Sequence, residues 1–175
     1  MRIGLDLDNT ICSTDKTIKK YEYKYCKENK IDSQTLLSSE NIKCDFLNNY
    51  LEVIYNESPL KKNTKNVINR LKKMKNEIII ITARRNRYIN NDMRDFIIQY
   101  LNNKKIFVDE VVIDAKDKVE VCKNLNIDII LEDNLYNYNS LTKSGVNVVL
   151  YDETNQYSNI KNRISNWIEF LKYIK

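Results

Sequence analysis

The sequence predicts an α/β fold: a parallel five-stranded sheet whose strands are joined by right-handed helical crossovers. Three observations point there. In Glu77-Ile78-Ile79-Ile80-Ile81 every position after the first is apolar, as a strand buried on both faces requires. Between runs of this kind the apolar residues recur at helical spacing instead. The acidic, hydroxyl and ammonium groups with chemical potential fall where the apolar runs stop.

Residues 2–7 read as the first strand. Over residues 14–30, Ile18, Tyr21, Tyr25 and Cys26 follow a helical period, and residues 31–39 read as a polar turn anchored by Leu36 and Leu37. A second helix begins near Asp45, with Phe46, Leu47, Tyr50, Leu51, Ile54 and Tyr55 on one face. Ser58-Pro59 breaks it, and Pro59 suits the mouth of a third helix lined by Leu60, Val67, Leu71 and Met74. The isoleucine run is the second strand, closed by Thr82-Ala83-Arg84. A helix over 92–101 follows, striped by Met93, Phe96, Ile97, Tyr100 and Leu101. Residues 110–113 form a short strand, and Asp114 or Asp117 caps a helix that reaches Leu125. Residues 128–131 form the fourth strand, ending in Glu132-Asp133-Asn134. A helix over 135–143 stops at Gly145, and residues 146–151 are the fifth strand. A last helix places Ile160, Ile164, Trp167, Ile168, Leu171 and Ile174 on one face as core. The gap between the first two strands holds two helices more than a crossover needs.

Composition narrows the chemistry. At 175 residues there is room for one main domain with a small insertion, and a hydrophobic fraction of 42% supports a real core. No stretch approaches the roughly twenty apolar residues of a spanning helix, and the N-terminus lacks a signal peptide's layout; both point to the cytoplasm. Zero histidines remove Ser-His-Asp and Cys-His catalysis and the usual zinc ligand sets. Cys12, Cys26, Cys44 and Cys122 form no CxxC pair and read as reduced thiols. Two glycines cannot build a GxGxxG or Walker A loop. The net charge of +5 is spread without an arm or repeat, so nucleic acid is not indicated as a partner, while a small anionic ligand is compatible.

Asp6 and Asp8 stand two residues apart where the first strand ends, so alternation puts both on one side of the chain. Carboxylates crowded in this way repel unless a cation or proton lies between them. The ordinary alternative is a strand running into an acidic turn, and from this segment alone the two readings weigh equally. Elsewhere Thr82 ends the second strand, Glu132 and Asp133 end the fourth, and Lys116 and Lys118 open the helix before it. Ligands of open α/β sheets sit at the carboxyl ends of the strands, where the strand order reverses. If the first strand lies between the second and fourth, these groups converge. Tyr21, Tyr25, Phe46, Tyr50 and Tyr55 either stack a substrate ring or, as we favour, pack the inserted helices together.

Asp6-Leu7-Asp8-Asn9-Thr10 resembles the first motif, DxDxT, of the haloacid dehalogenase superfamily of phosphatases. Ile81-Thr82 resembles its second motif, Lys118 (with Lys116 as fallback) its third, and Leu131-Glu132-Asp133-Asn134 its acidic fourth. Ile81-Thr82-Ala83-Arg84, Lys118-Val119-Glu120-Val121-Cys122 and Tyr151-Asp152-Glu153-Thr154-Asn155 look like the 5′(3′)-deoxyribonucleotidase-like branch, although the proline and aromatic of the last segment are missing. The resemblance implies a Rossmann-like core at residues 1–12 and 59–175 with a helical cap at 13–58. It implies a Mg²⁺-dependent phosphomonoesterase in which Asp6 is the nucleophile and Asp8 the general acid and base. Asp6, Asp8 (through its carbonyl), Asp133 and Glu132 would hold Mg²⁺. Thr82, Ala83, Arg84 and Lys118 would bind a small phosphorylated substrate, a nucleotide before a sugar or polyol phosphate. The rival from another class is a non-catalytic, receiver-like module that binds Mg²⁺ or phosphate.

Overall fold

The computed structural model describes residues 1–89 and 92–174. Six parallel strands, β1 (Arg2–Leu5), β2 (Glu77–Ile81), β3 (Glu110–Val112), β4 (Ile129–Glu132), β5 (Val148–Tyr151) and β6 (Arg163–Ile164), form one sheet in the order β3-β2-β1-β4-β5-β6. The order reverses between β1 and β4, so the crevice of a doubly wound sheet opens beside the end of β1. The isoleucine strand behaves as its pattern demands. Ile78 and Ile80 enter one apolar cluster and Ile79 and Ile81 the other, so both faces of the sheet are covered. Gly4 faces the second cluster, where a Cβ would lie 3.1 Å from Ile81 Cδ1 and 3.2 Å from both Ile127 and Ile130. A side chain there would force the packing apart, which is why β1 carries glycine at this position.

The inserted segment is helical throughout: α1 (Thr14–Asn29), α2 (Ser33–Ser38) and α3 (Glu40–Glu57). Its own apolar cluster gathers Tyr21, Tyr25, Leu36, Phe46 and Ile54. Tyr21, Tyr25, Phe46 and Tyr50 pack ring against ring at centroid distances of 5.2 to 6.1 Å. The neck of the insertion is paired: Ser13 N–H donates to Pro59 O at 2.8 Å, Lys61 N–H to Ile11 O at 2.9 Å, and Cys12 bridges Leu60. The remaining crossovers are α4 (Thr64–Lys73), α5 (Met93–Asn103), α6 (Lys118–Asn124) and α7 (Leu135–Lys143), and α8 (Trp167–Phe170) closes the chain with a 3₁₀ turn at Leu171–Tyr173.

Several expectations need correction. The sheet has six strands, not five, and the last helix is only Trp167–Phe170. Ile164 belongs to β6, where Asp152 N–H donates to its carbonyl at 2.8 Å, and Ile160 packs from a loop. Residues 33–38 are a helix rather than a turn, because the Asp32 carboxylate accepts from Thr35 N–H and caps it, and Leu36 alone of the two expected anchors is buried, Leu37 being exposed. The next helix starts at Glu40, capped by Ser39, and not near Asp45. Leu60 lies outside α4, in the neck, and Met74 is exposed at its C-cap.

Candidate active site

Asp6 is the first residue past β1, yet its backbone stays paired, N–H to Leu131 O at 3.0 Å, which fixes the carboxylate at the edge of the sheet. Lys118 opens α6, whose first turn is capped by Asp117, so that residue and not Asp114 is the cap. The Lys118 ammonium lies 2.5 Å from Asp6 Oδ1 and 2.5 Å from Glu132 Oε2, all three side chains being buried. Lys118 therefore occupies the site, while Lys116 is exposed beside Asp114 at 3.6 Å. Glu132 is oriented from its other oxygen, which accepts from Asn134 N–H at 3.0 Å and Asn137 Nδ2 at 3.3 Å. Asp133, half-buried at the end of β4, accepts from Thr10 Oγ1 at 3.2 Å. Trp167 Nε1 donates to Thr10 O at 2.9 Å, so the C-terminal helix holds the loop that carries the first motif.

Asp6, Glu132 and Asp133 each place a carboxylate oxygen within 4.8 Å of the others. Three carboxylates against one ammonium leave two negative charges uncompensated, and the donors are all oxygen. That set matches a hard divalent cation in both charge and ligand type. Burial raises the Asp6 carboxyl well above its ordinary range; Lys118 opposes this, and Glu132 and Asp133 reinforce it. Desolvation thus outweighs the lowering that the Lys118 charge exerts on Asp6. Burial would lower Lys118, but Asp6 and Glu132 more than offset it and its ammonium is held more firmly than usual.

The Asp133 carboxyl is pushed up to about 6, mainly by burial and then by Glu132. Its folded-state value exceeds the ordinary 3.8, so the folded chain binds this proton more tightly than the unfolded chain. Stability from this group is therefore present below its ordinary value and lost as pH rises through about 6. In EDTA, Asp133→Asn should melt above the wild type at pH 7.5, and the gap should narrow at pH 5. A gap independent of pH would contradict the assignment.

Asp8 points elsewhere. Its Oδ1 accepts from Arg84 Nη2 at 2.6 Å, Arg84 Nε at 3.2 Å and Thr14 Oγ1 at 2.5 Å, and its Oδ2 accepts from Arg84 Nε at 3.0 Å. Burial alone would raise this carboxyl, but the Arg84 charge and hydrogen bonds, helped by Thr14, hold it below its ordinary range. Arg84, read from sequence as a substrate contact, is buried with its guanidinium committed to Asp8 and stacked 3.5 Å from the Tyr55 ring centre. Thr82 is buried and its Oγ1 accepts from Arg84 N–H at 3.2 Å, leaving its own proton free to donate; Ala83 is exposed beside it. Thr14 and Asn137 were not singled out by the sequence, and Asn134 entered only as the last residue of the acidic motif. Only Asn134, a cap directly after the acidic pair, left a signal there. A cavity of about 700 Å³ opens from Asn9 and Asp133 toward Lys16, Lys61, Tyr151 and Tyr157.

No family model matches the chain. It is 28% identical over 187 residues to the YqfW protein of Bacillus subtilis, which carries a nucleotidase name; the match takes in 99% of the chain and 93% of that protein. It is 32% identical over 130 residues to a Clostridium acetobutylicum protein named nucleotidase, covering 74% of the chain and 63% of the relative. Among solved structures, a haloacid dehalogenase-like family hydrolase from Streptococcus pneumoniae superimposes with a TM-score of 0.75 at 14% identity, over 99% of this chain and 98% of that one. Likeness in sequence to nucleotidase-named proteins and in fold to a haloacid dehalogenase-like hydrolase both extend along nearly all its length, and the chain has the haloacid dehalogenase-like fold.

Proposed function

We propose that the chain is a Mg²⁺-dependent phosphomonoesterase that works through an aspartyl-phosphate, with a small nucleotide as substrate. The observation that carries this is the uncompensated double negative charge of Asp6, Glu132 and Asp133 around Lys118. A non-catalytic module would have no use for a second carboxylate, Asp8, held separately by an arginine. Asp6 and Asp133, with the Asp8 carbonyl and Glu132, would hold the cation, which supplies charge neutralisation for an anionic ester.

The chain's own groups account for the rest of the reaction. The Asp6 carboxylate attacks phosphorus, splitting one difficult displacement into two. Lys118 and the Thr82 hydroxyl take up charge on the phosphoryl oxygens. Asp8 gives a proton to the departing alcohol and later receives one from the water that cleaves the intermediate. Thr10 braces the loop.

The nucleotide assignment is supported by the names of the two relatives and by a cavity of about 700 Å³ with two tyrosines in its wall. Residues 13–58 are proposed as the cap, supported by the paired neck at 11–13 and 59–61 and by the separate apolar cluster of the insertion. Tyr21, Tyr25, Phe46 and Tyr50 pack against one another, while Tyr55 meets Arg84. The proposed setting is the cytoplasm, in keeping with four free thiols; among the described residues no helix is long and apolar enough to cross a membrane.

A panel of phosphate esters tests the reading, with dTMP and dUMP set against sugar and polyol phosphates. Hydrolysis that needs Mg²⁺, stops in EDTA and favours the nucleotides is expected. Absence of turnover on every ester would return the chain to the class of binding modules, and preference for the sugar phosphates would move the substrate assignment.

A further inference from the structure

We infer that Arg84 is a positioning residue for Asp8, locking the carboxylate so that Oδ2 alone carries the transferred proton. This rests on the reading of Asp8 as general acid and base. The geometry around the two oxygens is unequal. Oδ1 accepts from Arg84 Nη2 and Thr14 Oγ1, which take both of its lone-pair positions, while the single Arg84 Nε–H is shared and lies nearer Oδ2. Oδ2 accepts one, from Arg84 Nε at 3.0 Å, and keeps a free position. The Asp8 side chain is 32% exposed while that of Arg84 is 1% exposed, so the carboxylate has one face toward solvent and the other held by the arginine.

Arg84 is fixed in turn by groups from both parts of the chain. Its guanidinium lies over Tyr55 of α3, its Nη2 reaches Thr14 at the start of α1, and its backbone N–H donates to Thr82. Nη1 is buried without a hydrogen-bond partner among the described residues. Leaving a guanidinium donor bare is costly, and the fork is nevertheless kept on Asp8. An arginine meant to grip a substrate anion would keep its donors in the cavity.

Arg84 and Thr14 favour the ionised carboxylate, so the form that enters the reaction is the one that has taken a proton from solvent at the open position of Oδ2. In the first half-reaction the Asp6–phosphorus bond forms, the bond from phosphorus to the ester oxygen breaks, and that oxygen takes this proton. In the second, water attacks phosphorus, its proton passes to Asp8 Oδ2, and the bond from phosphorus to Asp6 breaks. Ester and water become alcohol and phosphate, and Asp8 ends as it began.

The test uses two esters on the same Mg²⁺-loaded preparations: an alkyl phosphomonoester such as glycerol 3-phosphate, whose alkoxide cannot leave without a proton, and 2,4-dinitrophenyl phosphate, whose phenolate can. The quantity read is kcat/KM, which reports the steps through phosphorylation of Asp6. For Arg84→Gln the alkyl ester should lose about 100-fold, the scale of general-acid assistance, while the dinitrophenyl ester loses less than about threefold. Arg84→Lys keeps the charge but not the fork, and should retain an alkyl-selective loss of about tenfold. Partial unfolding lowers both esters alike and leaves their ratio untouched. Should Arg84→Gln not fold, Thr14→Val, which strips one donor from Oδ1, should show the same selectivity to a smaller degree. Equal losses on the two esters, with Asp8→Asn still selective for the alkyl ester, would overturn the role of Arg84 and spare that of Asp8. Loss of selectivity in Asp8→Asn as well would overturn the acid–base reading itself.

Discussion

Asp6→Asn loses turnover of p-nitrophenyl phosphate by on the order of 10⁴-fold or more while keeping its fold. Asparagine fits the space of the aspartate but presents no carboxylate to attack phosphorus. The substitution also removes one charge from a cluster that is overloaded without its cation, so stability in EDTA holds or rises. The main-chain bond from residue 6 to Leu131 O at 3.0 Å is indifferent to the side chain, which is why the strand end should survive. Steady-state hydrolysis and a melting curve on one preparation check both halves. Residual activity above about one per cent of wild type would remove Asp6 from the role of nucleophile.

Lys118→Met acts in the opposite sense on stability. It leaves Asp6 and Glu132 buried with no counter-charge 2.5 Å away. Breaking a buried pair by removing one partner costs about 3–5 kcal/mol. In a chain of this length each kcal/mol moves the melting temperature by about 2–4 °C. The variant should therefore melt on the order of 10 °C below wild type in EDTA. Adding Glu132→Gln to it should recover part of that loss, because one orphaned charge is gone. Saturating Mg²⁺ should narrow the gap further by binding the folded form alone. A variant that melts with the wild type in EDTA would mean that the ammonium does not offset these carboxylates.

The legible parts of the sequence were those where one pattern has one physical cause. Four isoleucines in succession have no solvent face to offer, and β2 is buried on both sides. Groups at strand ends must lie on one edge of a parallel sheet, so the placement of Asp6, Thr82, Glu132 and Asp133 followed once β1 was flanked by β2 and β4. The misread parts were those where two causes give the same spacing. Ile160, Ile164, Trp167, Ile168, Leu171 and Ile174 imitate a helix, but they belong to a loop, a two-residue strand, one helical turn and the 3₁₀ turn after it, and Ile168, expected in the core, is exposed. The commitment of Arg84 to Asp8 could not be read at all, since it joins residues 76 apart through a loop geometry that no local period encodes. Thr14 was hidden for a simpler reason: as the first residue of α1 it looked like an ordinary helix start.

The paired neck at Ser13–Pro59 and Ile11–Lys61 carries a consequence for how such a chain can change. The two ends of the helical unit are tied to each other before they reach the sheet, so exchanging that unit for a longer or differently shaped one need not disturb the register of β1. Selectivity can drift while the reaction stays put, provided that Thr14 and Tyr55, which meet Arg84, are carried along with any graft.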